Sequence, residues 1–199
     1  CVEFESEDIG VKGSTEDIED IRDCNNPYDY FALHKAALVA SGVIPAYGDD
    51  TLADVLEGLG CGLYISTKVI GIPKGSGLGT SSILAGAAIK ALWQFIGREY
   101  TENELYDTVL IMEQLMSTGG GWQDQVGGVT NGIKYITSTP GLNQQIKVQH
   151  IELKPEPRQE LNERFCLIYT GQRRLARNLL RDVVGRYVGN EPEDRKSVV

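Results

Sequence analysis

The chain has 199 residues, with 19 Lys and Arg against 28 Asp and Glu, a formal net charge of −9 and an apolar fraction of 41%. That acidity argues against a general electrostatic grip on nucleic acid or anionic lipid, and no run approaches the ~18 apolar residues that span a bilayer. Cys1, Cys24, Cys61 and Cys166 form no C-x-x-C pair, and with only His34 and His150 they assemble no zinc spacing, so they read as reduced thiols of a cytoplasmic protein. Glu3, Glu5, Glu7 and Asp8 carry the wrong charge for a signal peptide. The chain opens at Cys1 rather than Met and stops at Val199 without a tapering segment, which reads as an internal piece of a longer protein.

Val2–Phe4 and Ile9–Val11 read as short strands, and the acidic stretch Thr15–Asp23 as a surface turn or short helix. Tyr28–Ala40 predicts a helix with Leu33, Ala36, Ala37 and Ala40 on its apolar side. Thr51 caps a second helix carrying Leu52, Val55, Leu56 and Leu59. Leu63–Ile72 has strand composition and ends at Pro73. Ile83–Ile96 is apolar nearly all round, which predicts a helix buried on most sides. Thr101-Glu-Asn-Glu104 is a capping box, opening a helix to about Met116. Val129–Thr137, Ile146–Leu153 and Phe165–Tyr169 read as strands and Gln172–Tyr187 as a basic helix, with a joint near Pro155–Glu163.

Between the Leu63–Ile72 strand and the apolar helix lies Lys74-Gly-Ser-Gly-Leu-Gly-Thr-Ser-Ser82. Gly75, Gly77 and Gly79 permit positive φ and let backbone N–H groups approach an anion, and the helix start adds partial positive charge. Thr80, Ser81 and Ser82 supply hydroxyls that can donate to phosphate or ligate magnesium. No G-K-[ST] follows, so this is not a Walker A loop, and it is not G-x-G-x-x-G. A flexible turn with a Ser/Thr cap is the bland alternative, and three alternating glycines directly before three hydroxyls disfavour it.

Glu113 has Tyr106, Val109, Leu110 and Met116 as helical neighbours. Two readings stand: a buried carboxylate that needs a partner such as a metal ion, or a helix-edge glutamate that reaches water. Asp124 sits in the glycine-flanked stretch Gly119–Gly128, read as a loop that brings a carboxylate near a small polar ligand. It is a candidate general base for a hydroxyl nucleophile, or an aspartate capping its own turn. Trp122 is either the apolar floor under a sugar ring or a core residue. Arg173, Arg174 and Arg177 are either an anion clamp or a solvated basic face.

Pro73–Ser82 resembles the ATP loop P-x-x-x-G-L-x-[ST]-S of the GHMP family of small-molecule kinases, and the Glu113 to Asp124 separation is similar to that between the family's magnesium glutamate and catalytic aspartate. Gly-Ser-Gly-Leu-Gly-Thr-Ser-Ser, Trp-Gln-Asp-Gln and Tyr-Thr-Gly-Gln-x-Arg-Leu-Ala are similar to the branch that phosphorylates L-fucose. The resemblance implies an α+β fold: a two-layer N-terminal domain with a left-handed β-α-β crossover over residues 1–157, and the start of a C-terminal domain over 158–199. It implies ATP on Lys74, Gly75, Ser76, Gly77, Leu78, Gly79, Thr80, Ser81 and Ser82, and Mg²⁺ on Ser81 and Glu113, with Ser82 an alternative for the serine role. It implies Asp124 at the anomeric hydroxyl, and Gly120, Gly121, Trp122 and Arg174 on the sugar side. The family's N-terminal sugar-recognition motif and its C-terminal glycine-rich motif are expected before Cys1 and after Val199. The partners implied are a sugar and ATP, with neither nucleic acid nor membrane. A manno-heptose 7-phosphate 1-kinase, a non-catalytic nucleotide-binding module and one domain of a bifunctional GDP-sugar-forming protein are the alternatives.

Overall fold

The computed structural model describes residues 1–26, 28–72, 76–116, 121–141, 144–168 and 183–189. The chain forms two compact units, Cys1–Val129 together with Arg173–Val199, and Thr130–Gln172.

The first unit opens with a hairpin of β1 (Val2–Ser6) and β2 (Val11–Thr15), and β3 (Leu63–Thr67) adds parallel to β1, giving the order β2-β1-β3. Alternation buries Val2 and Phe4 on one face, opposite Leu63 and Ile65. β3 is shorter than the strand expected over Leu63–Ile72. Its register partner β1 stops at Ser6, opposite Thr67, and the next backbone donor, Val69 N–H, goes to the Asp8 carboxylate instead. Gly13 lies opposite Phe4, where a Cβ would stand 2.5 Å from the Phe31 ring. That vacancy lets Phe31 stack on Phe4 with centroids 5.4 Å apart.

Helix α1 (Ile18–Arg22) is capped by Asp17. Helix α2 (Ala32–Ala40) starts four residues later than Tyr28, because Asp29 Oδ1 accepts the Phe31 N–H at 2.8 Å and holds the chain in a turn. Lys35 on α2 is buried, with Nζ 2.7 Å from Asp20 and 2.6 Å from Asp29. Burial opposes its charge, and the two carboxylates outweigh that and hold its pKa above the ordinary lysine value. Helix α3 (Leu52–Leu59) carries the expected Thr51 cap, completed to a capping box by the Asp54 carboxylate, which accepts from the Thr51 N–H.

Helices α4 (Thr80–Phe95), α5 (Glu102–Leu115) and α6 (Gln123–Val129) follow in the same unit, with the expected Thr101 capping box on α5. The expectation that α4 is buried on most sides fails. Ser82, Ala85, Gly86, Ile89, Leu92 and Trp93 form one buried stripe, while Ile83, Ala87, Ala91 and Phe95 are exposed. Alanines raise the apolar count of a helix through propensity, without implying burial. At the far end of α4, Trp93 is fully buried and donates Nε1–H to the Ser41 carbonyl at 3.0 Å. Tyr100 and the Arg98 guanidinium, 4.6 Å from the ring centroid, cover the same indole.

In the second unit β4 (Lys134–Ser138) pairs antiparallel with β5 (Ile146–His150). The segment read as a joint is helix α7 (Pro155–Arg164), which begins with Pro155 where a missing N–H costs nothing. Residues 165–168, expected as a strand, have no ladder partner among the described residues and take no regular form. Residues 183–188, which cluster with the first unit, are helical and overlap the expected basic helix, whose remainder up to 182 lies outside the described residues.

His34 on α2 ties the sheet to the helix layer. Its Nε2 lies 3.1 Å from the Glu5 carbonyl and 2.9 Å from Thr67 Oγ1, and its ring packs edge-on to Phe4 and Phe31. Burial lowers its pKa below the ordinary 6.5. The unfolded chain therefore binds a proton here before the folded one does. The contribution is full above 6.5 and is lost as pH falls from there toward the lower folded value. The expected outcome is that Tm declines as pH drops through this window and that His34→Leu flattens the slope. Thermal melts of both proteins from pH 7.5 to 5 check this; parallel slopes would refute it.

Candidate active site

The site is built where α4, α5 and α6 meet. Helices α3 and α5 begin with side-chain capping boxes, but α4 begins at Gly79 in the left-handed region, φ +65°, with no side-chain cap. Its first-turn N–H groups are therefore left for an acceptor from outside the helix. Gly77 is also left-handed, φ +76°, with open space where a Cβ would stand. Ser76 places its Oγ in a buried position without a partner among the described residues. An orphan hydroxyl, two left-handed glycines and an uncapped helix form a cradle that fits a polyphosphate.

Close packing of glycines sets α6 against this helix start. A Cβ on Gly86 of α4 would stand 2.5 Å from Val129 Cγ2, and one on Gly128 of α6 would stand 2.4 Å from Ile83 Cγ1. With both absent, each helix drops a glycine onto the other's branched side chain. The result places Asp124, in the first turn of α6, beside the loop: Gly79 has its Cβ position 3.6 Å from Asp124 Cγ. Asp124 is exposed. The stretch expected to be a loop is thus helical from Gln123 onward, because Gln125, Val126 and Val129 supply an inward face that outweighs the glycines' poor propensity.

Glu113, in the last turn of α5, is 5% exposed. Of the two sequence readings, burial is what the structure shows. Ser82 of α4 donates its hydroxyl to Glu113 Oε1, and Gln125 of α6 donates its amide to Oε2. Burial pushes the Glu113 carboxyl above the ordinary glutamate value; the Ser82 bond opposes this, the Asp124 charge adds to it, and the Gln125 bond opposes it again. The hydroxyl brought to Glu113 is that of Ser82, fully buried, whereas Ser81 points to an exposed position. No group of three His, Cys, Asp or Glu gathers among the described residues. One carboxylate, one hydroxyl and the oxygens of a bound phosphate are a donor set suited to Mg²⁺, which keeps several waters and takes few protein ligands.

Thr80 is half-buried in the first turn of α4 and Leu78 exposed in the loop before it; Trp122 is half-buried and Gly121 exposed. Lys74, Gly75, Gly120, Arg173, Arg174 and Arg177 lie outside the described residues. Sequence reasoning missed Gln125, which is fully buried. Its signal was its placement one residue before Val126 and four before Val129, legible only once α6 is recognised as a helix. A concavity of roughly 560 Å³ lined by Glu16, Asp17, Glu19, Asp49 and Asp50 shares no residue with this cluster, and its carboxylates would repel phosphate.

Residues 37–132 match the family described as GHMP kinases N terminal domain, and the chain belongs to this family of small-molecule kinases. Two curated relatives align with most of it. One is a bifunctional fucokinase/GDP-fucose pyrophosphorylase of Arabidopsis thaliana, 40% identical over 174 residues, covering 86% of this chain and 16% of that protein. The other is an L-fucokinase/L-fucose-1-P guanylyltransferase of Bacteroides fragilis, 36% identical over 180 residues, covering 89% of this chain and 19% of that protein. The chain therefore spans less than a fifth of either relative's length. No helix among the described residues is long and apolar enough to cross a membrane.

The glycine packing yields a matched set of substitutions. In a helix, Gly→Ala gains up to about 1 kcal/mol where space is open. Gly127 has nothing within 4 Å of its Cβ position. Gly127→Ala should therefore stabilise the protein. Gly86→Ala meets the stiff, β-branched Val129 and should destabilise it by about 1–3 kcal/mol, the cost of overpacking. Denaturant midpoints at constant slope measure both. Equal shifts of the same sign would show that helix propensity, not the Gly86–Val129 contact, decides.

Proposed function

We propose that this chain supplies the phosphoryl-transfer core of an ATP-dependent sugar 1-kinase whose acceptor is the anomeric hydroxyl of L-fucose. The observation that carries the reading is the uncapped start of α4 with two carboxylates, Asp124 and Glu113, held beside it from two other helices. That both relatives are fucokinases supports the acceptor.

On this reading the segment from Lys74 to Ser82 wraps the ATP phosphates. Glu113 and a serine of the first turn hold Mg²⁺; geometry favours Ser82 for that role over the Ser81 expected from the family pattern. The metal, when bound, neutralises charge that develops on the transferring phosphoryl oxygens. Asp124 accepts the anomeric proton as the sugar oxygen bonds to the γ-phosphorus and the bond to the ADP oxygen breaks. An anomeric hydroxyl is more acidic than an ordinary alcohol, so an exposed carboxylate suffices as base. Gly120, Gly121, Trp122 and Arg174 take the sugar side. Residues 1–157 are assigned to the N-terminal domain and 158–199 to the beginning of the next, in a protein that works in the cytoplasm.

Asp124→Asn in the full-length protein should lower kcat by two orders of magnitude or more and leave ATP binding nearly unchanged, since the residue acts on the acceptor. Equal loss of turnover and ATP affinity would sink the general-base role. ADP release with L-fucose, D-arabinose, galactose and a heptose 7-phosphate tests the acceptor. Fucose should be the fastest; an inert fucose beside an active heptose phosphate would reassign it, and no magnesium-dependent ADP release with any sugar would favour the non-catalytic module.

A further inference from the structure

We propose that Gln125 is a positioning residue, whose buried side-chain amide fixes the Glu113 carboxylate in the orientation that receives a divalent cation. The inference rests on the kinase reading for the identity of the cation and on the structure for the geometry.

Gln125 has no exposed surface. A glutamine is costly to bury: its carbonyl and NH₂ must both find partners, and each group left without one costs about 1–3 kcal/mol. A leucine or methionine of the same size would fill the space more favourably if packing were the purpose. Here the amide directs one N–H to Glu113 Oε2 while its own Oε1 is buried without a partner among the described residues. The amide cannot relieve the orphan by turning over, because Oε1 would then face the carboxylate oxygen. Native structures keep few such groups, and those that persist have a cause.

The cause is the geometry of Glu113. Ser82 holds Oε1 from α4, and Gln125 holds Oε2 from α6. A carboxylate that receives a donor on each oxygen, held from two helices, has its plane set before any ligand arrives. The same helix carries Asp124 at the adjacent position, facing Gly79. Two consecutive residues thus register the two carboxylates against each other: Asp124 as itself, Glu113 through Gln125. Partners of this kind around a metal ligand typically change affinity or activity 10–100-fold when removed.

The test uses the full-length protein and Mn²⁺ as the probe, titrated in the presence of ADP and read by electron paramagnetic resonance. Gln125→Met keeps the volume and removes the amide. Gln125→Asn keeps the amide and shortens its reach by one methylene, and it serves where the first variant folds poorly. Either should weaken Mn²⁺ binding about 10-fold or more, lower kcat comparably, and leave sugar KM and metal-free ADP affinity unchanged. A core glutamine would instead lower Tm with Mn²⁺ affinity and kcat intact, and that result overturns the proposal, as does a wild type that binds no Mn²⁺. Absence of ADP release by the wild type would overturn the kinase reading alone, since the Mn²⁺ titration judges Gln125 without turnover.

Discussion

Two missing methyl groups hold the site together. Gly86 admits Val129 and Gly128 admits Ile83, so α4 and α6 approach at a distance that any larger residue would forbid. The position of Asp124 follows from that approach: it reaches the loop because α6 lies close to α4. Glu113 joins them from α5, bonded to Ser82 of α4 and Gln125 of α6. The contact is steric and short-ranged, which suits a site where an error of about 1 Å in the placement of a reacting group costs about 100-fold in rate.

The interior at this point is polar, and it is less stable for being so. Ser82, Glu113 and Gln125 are all buried where three apolar side chains would pack better. The remainder of the unit offsets this with an ordinary core: Val2, Phe4 and Leu63 on the sheet, Ile89, Leu92 and Trp93 on α4, and Leu105, Val109 and Met112 on α5. The division is visible along α4 itself. Its buried stripe is apolar from Ala85 to Trp93 and turns polar only at Ser82, in the first turn beside Gly79.

Local signals carried much of the fold into the sequence. The Thr51 cap and the Thr101 box are each written in a few adjacent residues, and both form as read. The loop before α4 was legible because alternating glycines ahead of hydroxyls have little other use. What was hidden depended on partners distant in sequence. β3 ends where β1 ends, which its own strand-like composition does not reveal. The glycines of 119–128 suggested a loop, and only the docking of Gln125, Val126 and Val129 makes a helix of Gln123–Val129. Glu113 was evenly poised between water and burial until Ser82 and Gln125 were seen on either side of it.

The anchoring of Trp93 at the other end of α4 bears on how this domain can move. The indole is tied to the Ser41 carbonyl and covered by Arg98 and Tyr100, so the helix behaves as a post set in a footing. On the proposed reading, a phosphate held at Gly79 meets a helix whose opposite end is already anchored in the core. A change of acceptor would then be accommodated by residues away from α4.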